Sequence, residues 1–146
     1  MKIKMLGLLL VSALALAAIA TAGAPAIVAT PVAVGTMQAT TIHAQTGAAV
    51  IDSITIRPGG NFGWHVHGAP VAVIITGGTL TVFDPKVHGC TPFKVSKGQS
   101  FVEPANHIHL ARNDGTTNVT LYAFYMGFKR ASQANVPETQ PKGCSA

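Results

Sequence analysis

Three textures divide the hydrophobic and polar positions of this chain. Residues 5–20 form one apolar run broken only by Ser12. Residues 23–47 are mostly Ala, Thr, Val, Pro and Gly, with no charged side chain. From Ala48 onward, short β-branched runs alternate with Gly, Pro and Asn, the pattern of an all-β chain. The runs predict strands over 50–57, 61–67, 71–76, 79–83, 93–95, 100–103, 106–112 and 118–128. Gly77-Gly78 reads as a two-residue hairpin turn between the third and fourth of these. Asp84-Pro85 opens a loop that holds His88 and Cys90, and Asn113-Asp114-Gly115 turns into the last strand. No amphipathic helix of useful length intervenes. Short strands at this density fit a β-sandwich or a jelly-roll barrel, as a single domain with a modest core. Two His-bearing strands, each preceded by a Gly-containing turn, fit a double Greek key.

The first apolar run has its own meaning. Lys2 and Lys4 precede it, and Ala20-Thr21-Ala22 follows it with small residues. Residues 1–22 therefore read as a secretory signal peptide cut before Gly23. The run is shorter than the roughly 20 residues a membrane span needs, so no stable membrane anchor is expected after cleavage. The expected location is secreted or periplasmic. In an oxidising compartment Cys90 and Cys144, the only cysteines, are expected to pair. Such a bridge is worth about 4 kcal/mol in the chain-entropy model. The organisation follows: leader 1–22, linker or N-terminal arm 23–47, β-barrel domain 48–130, and a polar tail 131–146 pinned by the disulfide.

Composition narrows the function. Hydrophobic residues at 48% and charged residues at 10% exclude disorder of the charged, low-hydropathy kind. Lys and Arg outnumber Asp and Glu by 10 to 5, and two of the lysines fall in the leader. The remaining basic residues are scattered without an aromatic platform, which argues against nucleic acid as a partner. No Gly-rich phosphate loop with Lys, no G-x-S-x-G elbow and no H-E-x-x-H occurs.

Histidine is the residue type that carries candidate chemistry. His65 and His67 lie at i, i+2 on a predicted strand, so both point to one face. His107 and His109 repeat that spacing on a second strand. A jelly roll can set two such strands face to face, and neutral imidazoles suit Zn, Cu, Fe or Ni. A lone H-x-H also occurs as a surface pair on a polar face, so these residues by themselves leave both readings open. His43 and His88 read as solvated loop residues. Trp64, Phe83, Phe101, Tyr122 and Phe124 read as core, some of them lining an apolar pocket.

Residues 59–78 and 98–113 resemble the two motifs of the cupin superfamily. The first motif, G-x5-H-x-H-x3,4-E-x6-G, meets Gly59, His65, His67, Val71 and Gly78. The second, G-x5-P-x-G-x2-H-x3-N, meets Gly98, Pro104, Asn106, His109 and Asn113. The leader, Gly63-Trp64-His65-Val66-His67, Cys90-Thr91-Pro92, Val102-Glu103-Pro104 and Cys144 are more narrowly similar to small secreted bacterial single-domain cupins. The resemblance implies an all-β, single-domain jelly-roll barrel (a double-stranded β-helix). It also implies a mononuclear centre with His65, His67 and His109 on one divalent transition metal, among Fe, Mn, Zn, Ni and Cu. Two positions depart from the motifs. Asn106 replaces a Gly, and Asn tolerates positive φ better than most residues. Val71 stands where the motif has a metal-ligating Glu, and Val coordinates nothing. His107 and Glu103 are the candidate compensators, as a fourth ligand or as partners that orient a ligand ring; Glu103 could also act as a base. Asn113 is expected to shape its turn. By resemblance, a dioxygenase acting on a small carbonyl, phenolic or thiol compound leads. The alternative is a non-catalytic module outside the cytoplasm that binds metal or a small ligand. Pairing into a homodimer is also implied by the resemblance.

Overall fold

The computed structural model describes residues 29–129 and 134–145. The leader read at 1–22 lies outside them. The chain divides into residues 1–30 and a unit of residues 31–146, and the fold below is that of the second unit. Among the described residues no helix is long and apolar enough to cross a membrane.

Among the described residues, nine strands and one helical turn make up the domain. In chain order they are β1 (Ala48–Ile56), β2 (His65–Val66), β3 (Val71–Gly77), β4 (Thr79–Phe83), α1 (Pro85–His88), β5 (Phe93–Ser96), β6 (Ser100–Glu103), β7 (Leu110–Arg112), β8 (Val119–Phe128) and β9 (Val136–Pro137). One sheet runs β1-β8-β3-β6 and another runs β5-β4-β7. Bridges Asn61↔Arg112 and His65↔His109 extend the second sheet to β2, which in turn pairs with β9. The pairings are antiparallel. The last long strand, β8, inserts between β1 and β3, so contacts far apart in sequence close the barrel.

Period-2 burial explains why these runs are strands. Along β8, Val119, Leu121, Ala123 and Tyr125 are buried while the residues between them are more exposed. Val71, Val73 and Ile75 do the same on β3. These inward residues meet Leu80, Val82 and Val95 from the other sheet in one apolar core. Trp64, Phe83, Leu110 and Cys144 form a second, smaller cluster. Leu110 is next to His109 in sequence, and Trp64 is next to His65, so alternation puts this cluster on the face of the sheet opposite the imidazoles.

Four sequence expectations are corrected here. Gly77-Gly78 is not a hairpin turn, because β3 and β4 belong to different sheets. It is a corner where the chain crosses between them, pressed against β8. A Cβ on Gly78, at φ 72°, would lie 2.7 Å from the Asn118 carbonyl oxygen. Tyr122 and Phe124 are not core: they occupy the outer face of β8, and Phe124 is exposed. The 84–88 loop contains a helical turn, because Asp84 caps it by accepting from the Lys86 and Val87 amides and Pro85 presets its first residue. The strand expected over 106–112 begins only at Leu110, since Asn106 adopts φ 59° in the preceding turn. Within residues 29–47, Thr36 pairs with Gln99, and the Gln45 amide donates to the Met126 carbonyl at 3.2 Å. Asn113 does shape its turn. Its buried amide donates to the carbonyls of Ile56 and Thr117, and its oxygen accepts from the Gly115 amide.

Candidate metal centre

His65 and His109 are joined through their backbones. Each amide donates to the other's carbonyl at 3.0 Å, so the two segments lie side by side as an antiparallel pair. The strands expected to face one another across the barrel are instead neighbours in one sheet, and adjacency achieves the same convergence. Ring centroids are 4.2 Å apart for His65 and His109, and 4.9 Å for His67 with each of the other two. All three rings are buried, and one ligand-competent atom from each lies within 4.8 Å of the others.

Hydrogen bonding orients the three rings alike. Nδ1 of His65 donates to the Gly63 carbonyl at 2.9 Å. Nδ1 of His109 donates to the His107 carbonyl at 2.9 Å. Nδ1 of His67 donates to the Ala134 carbonyl. A carbonyl only accepts, so each Nδ1 carries the proton and each neutral ring keeps a lone pair on Nε2. Among the described residues, the Nε2 of His109 is buried without a hydrogen-bond partner. Three anchored imidazoles with free Nε2 lone pairs, one of them orphaned, are a donor set that fits a divalent transition ion.

Glu103 sits with them. Its Oε2 is 3.0 Å from Nε2 of His67, and its Oε1 is 3.4 Å from Nε2 of His109. His107 goes elsewhere. Its ring Nδ1 lies 3.4 Å from Asp84 Oδ2, and only its carbonyl reaches the centre, through His109. The i, i+2 rule fails there because 104–107 is a turn rather than a strand. His43 and His88 are exposed.

A cavity of about 40 Å³ opens beside the rings, walled by Phe62, Glu103, Leu121, Tyr125 and Asn135 among others. The Tyr125 ring is 5.6 Å from that of His67. Burial, then the charges of Asp52 and Glu103, push its hydroxyl up to about 12. Tyr125 is absent from the sequence-based candidates, although counting by twos from Val119 along β8 places it inside. Ala134 and Asn135 carry no sequence signal, because they reach the site only through the folding-back of the tail.

Burial, then the neighbouring His109, lowers His65 to about 4 from 6.5. Between those values the unfolded chain takes up a proton that the folded chain refuses. Stability is therefore full above about pH 6.5 and declines as the pH falls toward 4. Thermal melts of ion-free protein are expected to fall through this window, and a flat profile would refute a neutral, buried His65.

Antiparallel sheets packed around one core, with three buried imidazoles converging inside, define a jelly-roll protein with a candidate metal site. The cupin family model matches residues 25–140, more than half of the chain, and the chain belongs to the cupin family. Solved structures show the same architecture. A conserved protein with a double-stranded β-helix domain from Klebsiella pneumoniae aligns with TM-score 0.51 at 16% identity, covering 64% of this chain and 79% of that one. The DMSP lyase DddQ from Ruegeria pomeroyi aligns with TM-score 0.53 at 19% identity, covering 67% of this chain and 46% of that one. The chain thus spans about half the length of that lyase. At these identities the likeness is one of fold. No curated protein matches the sequence.

Proposed function

We propose that the protein is an exported cupin that holds one divalent transition ion, among Fe, Mn, Zn, Ni and Cu, on His65, His67 and His109 and presents it to a small molecule. The observation that carries this reading is the common anchoring of three buried Nδ1 atoms on backbone carbonyls, which leaves the three Nε2 atoms unprotonated. When bound, such an ion supplies Lewis acidity and open positions for water, oxygen or an anionic group. The chain's own residues fix the ring tautomers and keep bulk water out. Tyr125, with its hydroxyl pushed up to about 12, stays protonated at neutral pH and offers a hydrogen-bond donor to the cavity it helps to wall. Export is supported by the Cys90–Cys144 disulfide, a bond that persists in oxidising compartments.

Oxidation of a small carbonyl, phenolic or thiol compound is the reaction class we favour. The cavity of about 40 Å³ holds only a few water-sized molecules, against roughly 300–1,000 Å³ for pockets that enclose larger ligands. That volume also favours a second reading, a non-catalytic module that binds metal or a small ligand. Metal analysis and oxygen uptake separate them. Under the first reading, protein from its native compartment contains a stoichiometric transition ion, and its Fe(II) form consumes oxygen with a member of a small-substrate panel. Ion uptake without oxygen consumption selects the module. Protein that takes up none of the five ions sinks both.

A further inference from the structure

The carboxylate of Glu103 faces the wrong side of two rings for an ordinary hydrogen-bonded pair. His67 and His109 both commit their Nδ1 protons to carbonyls. Their Nε2 lone pairs then confront Glu103 oxygens at 3.0 and 3.4 Å, acceptor against acceptor. A single added proton relieves one of these contacts and leaves the other. Protonating every ring would crowd three positive charges into one buried pocket. A divalent transition ion accepts lone pairs from imidazoles and a carboxylate alike, and the three histidine ligand atoms already lie within 4.8 Å of one another. We infer that Glu103 is the fourth protein ligand of the ion held by His65, His67 and His109, an assignment that rests on the proposed metal centre.

Strand register explains how this residue gets there. Val71 on β3 is directly opposite Glu103 on β6. Directly opposed residues share a face of the sheet with Cβ atoms about 5 Å apart, and Val71 is fully buried in the barrel. The carboxylate missing from position 71 is therefore present one strand over, aimed at the same interior. An anionic ligand neutralises one of the ion's two charges and occupies a position that a three-imidazole set leaves open. The centre that results is less electrophilic and offers fewer sites to an incoming molecule.

The test uses Zn(II) and Co(II) alone. Glu103→Gln keeps the shape of the side chain and removes its charge. It is expected to lower Zn(II) affinity by more than about 100-fold, beyond the 10–100-fold typical of groups that merely orient a ligand, and to change the visible spectrum of the Co(II) form. Exchanging the pair, Glu103→Val with Val71→Glu, is expected to restore most of the affinity. Should the variants fail to fold, a crystal structure of the zinc-loaded wild type decides: a Glu103 oxygen within about 2.2 Å of the ion supports the assignment, and a carboxylate separated from it by water overturns it. If Glu103→Gln binds as tightly as wild type with an unchanged Co(II) spectrum, the assignment fails while the three-histidine centre stands. If wild-type protein binds neither ion, both fail.

Discussion

Replacing His109 with alanine is expected to abolish tight uptake of a divalent transition ion, with affinity lower by well over about 100-fold. His109 is the most buried of the three rings, 1% exposed, and its Nε2 has no hydrogen-bond partner among the described residues. Its backbone is locked to His65 in both directions, and its Nδ1 is locked to the His107 carbonyl. The ring is thus held in place before any ion arrives, and little ordering remains to oppose binding. Removing a group that only orients a ligand ring costs 10–100-fold; removing the ring itself costs more, because no other imidazole can reach the vacated direction. His107 provides the contrast. Its ring contacts Asp84, so His107→Ala, which keeps the carbonyl that His109 uses, is expected to bind nearly as wild type. Chelator competition with Zn(II), alongside circular dichroism to confirm folding, measures both. Equal affinity in wild type and His109→Ala would remove the basis of the proposed function.

What the sequence disclosed of this centre, and what it hid, follow from one distinction. His65 and His67 are legible because strand alternation is local: two residues apart means the same face. The same rule misplaces His107, since the turn at Asn106, with its φ of 59°, delays β7 until Leu110. Strand positions are legible from β-branched runs, yet pairing partners are not. Gly77-Gly78 looks like a hairpin in the chain and is a crossing between sheets, because the residues that crowd it, Asn118 to Thr120, lie far along the sequence. The opposition of Val71 and Glu103 is of the same kind. Each residue can be read alone, one as a lost ligand and one as an unassigned acid, and only register joins them. Tyr122 and Phe124 read as core on hydrophobicity alone, whereas the period of β8 assigns the interior to Leu121, Ala123 and Tyr125.

The tail adds a dependence that composition could not reveal, and its removal gives the second large effect. With Cys90 and Cys144 both changed to serine, the protein is expected to lose about 4 kcal/mol, the chain-entropy value for a loop of this length. The bridged residues are 54 apart in sequence. In a domain near 100 residues that corresponds to a melting temperature lower by about 15 °C, read by calorimetry under non-reducing conditions. The bridge also serves the centre. Cys144 packs with Trp64, Phe83 and Leu110 behind the imidazole-bearing sheet, while β9 pairs with β2 and the Glu138 amide donates to the Trp64 carbonyl at 2.8 Å. The same tail supplies the Ala134 carbonyl that holds His67 Nδ1. Loosening it frees the His67 ring to rotate or change tautomer, so Zn(II) affinity is expected to fall 10–100-fold even at temperatures where the variant stays folded. A lower melting temperature with unchanged affinity would show that the tail stabilises the barrel without positioning His67. Loss of both together would tie ion retention to the oxidised state of the disulfide, and so to the oxidising compartment in which such bonds persist.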